Sequence, residues 1–252
     1  MMKQIFIQSA VVCCPDAELL TQWHIQGSDI DKSLIPIAMR RRTSMTTRMA
    51  ITAATLACRQ AAVEPATLTS VFASLGGEIQ VTDALCRLLP DAEALLSPTQ
   101  FHNSVHNTTA GYWSILNQCQ APTTAIAAAD DTFAMGLLEI GTQLSLQGGE
   151  GLLVCYDELW PQYLAAPIGK TAFACAFVLS HCAENSLAGL TLPLISKDPQ
   201  LVMSDTMQEL VKAAPAGSVL PLLQALQHNV SLDIPLNIQH PIWMTHVEAK
   251  RD

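Results

Sequence analysis

The stretch TTAIAAADDTFAMGLLEI, residues 123–140, decides the fold. An apolar run over 124–129 meets two adjacent acids, Asp130 and Asp131, and a second apolar run over 133–140 begins at once. The first run reads as a short buried strand, 123–129. The second continues to Leu146 and stops at Gly148-Gly149, the signature of a helix over 132–146. Phe133, Ala134, Met135, Leu137, Leu138, Ile140, Leu144 and Leu146 make that helix apolar nearly all round. Such a helix belongs between layers, and a place between two sheets is expected. Asp130 and Asp131 are expected to cap it, because carboxylates at a helix start accept backbone N–H bonds and oppose the dipole.

The same alternation extends outward in both directions. Buried strands are predicted over 5–14, 69–77, 151–158, 170–180 and 187–196, each a run rich in apolar residues bounded by turn signals. Helices are predicted over 43–62, 80–89 and 106–118, with "SPTQFHNSV" as a loop before the last of them. Two further helices, "DTMQELVKAA" and "SVLPLLQALQ", precede an irregular tail containing Pro235 and Pro241. Buried strands alternating with helices imply an α/β sheet covered on both sides. No repeat or flexible linker interrupts the 252 residues, so 1–252 reads as a single domain.

Half of the residues are hydrophobic, 14% are charged, and the mean hydropathy is +0.27. The charged share of a typical soluble domain is about 25%. No run approaches the roughly 18 apolar residues of a membrane span. The apolar surplus therefore points to a deep core and an interface with a partner. A net charge of -9 argues against nucleic acid, which selects a basic footprint. The short cluster Arg40-Arg41-Arg42 with Arg48 reads as a solvated or ion-paired turn. Eight cysteines form no CxxC and have no histidine placed to complete a zinc site. Most sit in apolar runs as small buried hydrophobes. The first ten residues lack the features of a signal peptide, so the cytoplasm is the expected compartment.

A strand, an elbow and a buried helix are where a nucleophile is often mounted, since helix amides lower a thiol pKa and stabilise an oxyanion. The elbow here is Ala127, Ala128, Ala129, Asp130 and Asp131, with neither Cys nor Ser. His102 and His106, four apart, lack the third ligand of a metal site and read as interface or loop histidines. Asp157 and Glu158, at a strand end, read as structural.

The segment VHNTTAGYWSILNQCQAPTTAIAAADDTFAMGLLEI resembles the N-terminal half of a β-ketoacyl synthase, through Asn107, Ala110-Gly111, Ala121-Pro122, the strand to Ala129 and Gly136. With RRRTSMTTRMA, VFASLGGEIQVTDALCRLL, LSPTQFHNSVHNTTAGYWSI and LLVCYDE it is similar to the short chain-length-factor type of type II polyketide and aryl polyene biosynthesis, over about residues 5–195. The active-site cysteine of the family falls on Asp130 when counted from Pro122 and on Ala128 when counted from Gly136. No match to the family's two catalytic histidines is found around His228, His240 or His246.

The resemblance implies a thiolase-like α/β/α half-fold with a short helical C-terminal tail over 196–252. It implies a catalytically inactive chain-length factor, needing no cofactor, that forms a heterodimer with a full-length ketosynthase and meets acyl carrier protein through that complex. Residues 101–118 would lie at the interface and help line the acyl tunnel. Phe101, His102, His106, Asn107, Tyr112, Trp113, Ile115 and Leu116, with Phe133 and Met135, are the expected wall and contact residues. Two other readings remain open. One is a self-sufficient acyl-transfer or acyl-hydrolase enzyme using Cys155, Ser114 or Ser104, although none lies in a nucleophile elbow. The other is a homodimeric acyl-binding or scaffold protein.

Overall fold

The computed structural model describes residues 4–91, 93–164, 171–198, 201, 203–212, 214 and 216–250. The chain opens with β1 (Gln4–Cys13), then α1 (Ala17–Gln22), α2 (Ile37–Arg40) and the long α3 (Met45–Ala61). β2 (Thr69–Ala73) is followed by α4 (Ile79–Cys86), α5 (Pro98–Asn103) and α6 (Thr108–Asn117). β3 (Thr123–Ile126), α7 (Thr132–Gln147), β4 (Glu150–Asp157) and β5 (Phe173–Ser180) come next. The remainder holds β6 (Ala188–Thr191), β7 (Leu194–Ile195), α8 (Asp205–Lys212), α9 (Leu220–Gln227), β8 (Leu232–Pro235) and β9 (Trp243–Ala249).

All the strands share one mixed sheet in the order β3-β2-β4-β5-β1-β6-β9-β7, with β8 also paired to β9. β2 runs parallel to both β3 and β4, and the remaining pairs are antiparallel. The central strands explain the unbroken apolar runs of the sequence. Along β5, Phe173, Cys175, Phe177 and Leu179 face one core, while Ala174, Ala176 and Val178 face the other. A strand covered on both faces has no polar side to display.

One face is closed by α3, whose Ala50, Ala53, Ala54 and Ala57 share a core with the alanines of β5. Small residues on both sides let helix and sheet lie close. Phe133, Leu137, Ile140 and Leu144 of α7 close the opposite face, together with Leu220, Leu222 and Leu223. Gly136 permits the close approach of α7, since a Cβ there would sit 2.9 Å from the Ala73 Cβ.

Four expectations need correction. α7 does not lie between two sheets: it covers one face of a single sheet, and its outer side stays partly open, with Leu146 77% exposed. The described residues supply one sheet, so no second sheet covers the helix. The loop expected over 97–105 contains α5, because the Ser97 hydroxyl accepts the Gln100 N–H and Pro98 fits the first turn. The strand expected over 187–196 is split into β6 and β7 at Pro193, which has no N–H for the ladder. The tail expected to be irregular after the second helix folds into β8 and β9, and β9 pairs with β6 inside the main sheet. Lys170, the start of a predicted strand, and Ala213, within a predicted helix, lie outside the described residues.

Candidate functional site

The C-terminal ends of β2 and β4 lie side by side, and the chain leaves β2 for β3 on one side while β4 lies on the other. Such a reversal leaves a crevice beyond the strand ends where ligands of α/β sheets collect. A cavity of about 250 Å³ occupies this position. Its floor is Ala73, Phe133, Cys155 and Asp157, and its far wall comes from the tail through Lys212 and Asn237.

The elbow between β3 and α7 opens onto this cavity through Ala129 and Asp130. Ala129 adopts φ +48°, the left-handed region, which a Cβ disfavours by about 1–2 kcal/mol. The residues 129–131 form one tight turn before α7 begins. Asp131 stands at the N-cap position of α7, but, contrary to expectation, neither aspartate's carboxylate accepts a hydrogen bond from the first-turn amides. The Thr132 hydroxyl does the local work, accepting the Ala128 N–H at 3.0 Å and donating to the Ala129 carbonyl at 2.7 Å. The turn carries Asp131 away from the first-turn amides, and its carboxylate instead accepts from the Asn237 side-chain amide at 2.6 Å. Asn237 also accepts the Trp243 N–H at 2.8 Å, so one residue joins the elbow to the tail. Ala129→Gly should be neutral to mildly stabilising, within about 1 kcal/mol, where Ala→Gly ordinarily loses that much. Chemical denaturation measures the sign directly.

Asp157 is the most confined acid of the cavity, 2% exposed. It accepts from the Ser74 hydroxyl at 2.7 Å, the Gly76 N–H at 2.9 Å and the Leu75 N–H at 3.2 Å. Burial pushes its pKa up to about 6, against the pull of these donors and of nearby His106. Glu78 and Glu158 are buried close by and are raised for the same reason. The hydroxyls of Ser44 and Thr47 donate to Glu78, and that of Thr46 to Glu158. Burial, with a contribution from Cys175, holds the Cys155 thiol well above its usual range, which suits packing rather than attack.

The predicted residues do not converge on this cavity. Phe133 lines it, packed beside Phe177, and Met135 is half-buried against the same core. Trp113 is fully buried in the opposite core beside Phe72. It belongs to the inside of this chain, and any effect it has on a partner is indirect. Tyr112 is also buried, its hydroxyl donating to Asn103 Oδ1 at 3.0 Å. Leu116 is half-buried against Ile35, Ile51 and Tyr112. Asn107 is exposed at the start of α6. Phe101 and Ile115 stand out into solvent at 64% and 66% exposure.

His102 is exposed, with Nδ1 near Asn103 Oδ1, whereas Nε2 of His106 donates to the Ser74 carbonyl at 2.8 Å. Among the described residues no group of three or more His, Cys, Asp or Glu could hold a metal ion. Of the other possible nucleophiles, Ser114 donates to the Ala110 carbonyl and Ser104 to the Phe101 carbonyl. Sequence reasoning missed Lys212 and Asn237 altogether, and it treated Asp157 as purely structural. No local pattern marks Asn237, whose partner Asp131 lies 106 positions away.

A family model described as β-ketoacyl synthase, N-terminal domain, matches residues 16–243. The match passes well beyond residue 195, where the resemblance in sequence was expected to end. Among solved structures, the ketosynthase ApeO in complex with its chain length factor ApeC, from Xenorhabdus doucetiae, is similar at TM-score 0.69 and 21% identity, covering 96% of this chain and 99% of that chain. The ishigamide ketosynthase/chain length factor is similar at TM-score 0.67 and 11% identity, covering 98% and 100%. A β-ketoacyl synthase from Burkholderia phymatum STM815 is similar at TM-score 0.64 and 11% identity, covering 99% and 100%. At such identities the likeness is one of fold. No curated protein matches the chain. No helix among the described residues is long and apolar enough to cross a membrane.

Proposed function

The chain belongs to the β-ketoacyl synthase N-terminal domain family, and from that premise we propose that it is a non-catalytic chain-length factor. It pairs in the cytoplasm with a full-length ketosynthase and shapes the acyl tunnel during type II polyketide, aryl polyene-like or fatty acid synthesis. The partner performs decarboxylative condensation on acyl carrier protein. The observation that carries this reading is the elbow. The position of the family nucleophile falls on Ala128 or Asp130, in an elbow that meets the cavity through Ala129 and Asp130, and among the described residues no histidine lines the cavity. Cys155 reaches the cavity, but burial holds its thiol well above its usual range. Nothing in the surroundings of Ser104 or Ser114 favours the hydrolase reading. The single sheet, built from both ends of the sequence, supports 1–252 as one domain.

Two surfaces support a partner. Leu89, Leu95, Leu96, Phe101, Val105 and Ile115 are exposed apolar residues concentrated in 89–115, and such a concentration marks an interaction surface. Nearby, β3 is the edge of the sheet. The carbonyls of Pro122 and Ile126 accept from Ser70 and Ser74 of the β2 side, so by alternation Thr123 and Ala125 direct their backbone groups outward. A bare edge of this kind, with no charge, is a template for a second strand.

Coexpression of the tagged chain with a full-length ketosynthase from the same gene neighbourhood tests the proposal. A one-to-one complex is expected, with condensation lost only when the partner's cysteine is replaced. A chain that purifies alone, or only as a homodimer, would overturn it. Ala125→Pro removes an outward N–H while leaving the β2–β3 ladder intact, and should weaken pairing by about 2 kcal/mol, roughly thirtyfold. Phe101→Asp with Ile115→Asp should act in the same direction through the apolar surface. Unchanged sizing profiles for both variants would remove these surfaces from the interface.

A further inference from the structure

At the end of the sheet opposite the cavity, the turn after β5 brings a thiol and an imidazole together. Cys182 Sγ lies 3.2 Å from His181 Nε2. The other ring nitrogen, Nδ1, lies 3.1 Å from the Gly149 carbonyl oxygen. A carbonyl can only accept, so Nδ1 carries the proton and Nε2 presents its lone pair to the thiol. The ring is seated over Gly148, where an added Cβ would stand 3.5 Å from its Cε1. The His181 backbone N–H donates to the same Gly149 carbonyl at 3.2 Å.

The cysteine is anchored as firmly as its base. The Cys182 N–H donates to the Ser180 hydroxyl at 3.0 Å, and its carbonyl accepts from the Gln8 side chain at 3.2 Å. Gln8 also donates to the Glu184 carbonyl at 2.9 Å, closing the turn. His181 and Cys182 are both exposed. A thiol, a base held in the correct tautomer and a third group orienting that base constitute an activated nucleophile. The remaining cysteines offer a contrast. Burial pushes Cys13 and Cys58 up to about 12, and Cys86, the other exposed thiol, has no histidine partner among the described residues.

We propose that Cys182 and His181 form a reactive thiol–imidazole pair that undergoes thiol–disulfide exchange with small-molecule disulfides. His181 Nε2 takes the Sγ proton, and the thiolate attacks one sulfur of the disulfide. The new Sγ–S bond forms as the old S–S bond breaks, and the departing thiolate recovers the proton from the imidazolium. The product is a mixed disulfide on Cys182 and one free small thiol, so electrons balance without another oxidant. The modification leaves the elbow and its cavity untouched and is independent of the proposed function.

Cys86 provides an internal control. The full-length chain is treated with limiting iodoacetamide at neutral pH, and in parallel with hydroxyethyl disulfide, and modification is read residue by residue from peptide masses. Cys182 is expected to react about tenfold faster than Cys86 with either reagent. In His181→Gln, whose fold is verified by circular dichroism, the two rates should converge. Rates for Cys182 and Cys86 that agree within about twofold in the unmodified chain, or a Cys182 advantage that survives His181→Gln, would overturn the pair.

Discussion

Trp113→Ala is expected to destabilise the chain by about 3–5 kcal/mol. The indole is completely buried, and its ring lies 6.3 Å from Phe72, which in turn meets Tyr156 edge-on. The same core includes Ala50, Ala53, Ala54 and Ala57 of α3 beside larger residues such as Met49 and Leu68. Alanine cannot extend to fill a void, so the loss includes a cavity term as well as the transfer term. Against a typical stability of about 5–15 kcal/mol, that is a large fraction of the whole. The indole N–H has no partner, so Trp113→Phe forfeits no hydrogen bond and should cost markedly less. Urea denaturation of the isolated chain measures both. A loss under about 1 kcal/mol for the alanine variant would mean that α6 does not pack as described. The same result separates two kinds of partner effect. Trp113→Ala should weaken a complex only as far as it unfolds the chain, whereas Phe101 and Ile115, already exposed, should act without changing its stability.

Stability is expected to fall as pH rises from about 4 to about 7, with Asp157 as the main source. Its folded-state pKa of about 6 lies above the usual 3.8. Between those values the folded chain holds a proton that the unfolded chain has released. The contribution is therefore fully present below the unfolded value and is lost as pH passes through about 6. A rise from 3.8 to about 6 corresponds to about 3 kcal/mol. Glu78 and Glu158, also raised by burial, act in the same sense.

Asp157→Asn should flatten this slope. Its amide oxygen can still accept from Ser74 and Gly76, which share Oδ1 in the native chain, while only Leu75 loses its acceptor. The uncharged amide imitates the protonated acid at every pH. Midpoints of urea denaturation across the same pH range provide the check, and an unaltered slope in the Asn variant would reassign the effect to other groups.

The elements that could be read locally were those whose surroundings are uniform. β4 and β5 are apolar between their end residues because both faces are covered, and α7 announces itself by an apolar run too long for a strand. The elbow is equally legible: three alanines and two acids stand between strand and helix whatever the rest of the chain does. Its internal geometry was less so. The aspartates looked like caps by residue type, yet Asp131 at the N-cap position gives its carboxylate to Asn237, and the Thr132 hydroxyl ties the turn by accepting the Ala128 N–H.

What residue pattern determined by itself is the α/β class, the succession of buried strands and helices, and the absence of Cys and Ser from the elbow, all of which depend on near neighbours in sequence. Only the tertiary structure decided that α7 covers one sheet, that Trp113 faces inward while Ile115 two positions later faces solvent, and that the tail enters the sheet through β9. It also decided that Asn237 closes the cavity against Asp131 and that His181 supports Cys182 by leaning on Gly148 and Gly149. These depend on contacts between segments distant in the chain, where a single hydrogen bond or a glycine without a Cβ selects the arrangement, and no periodicity in sequence records such a pairing.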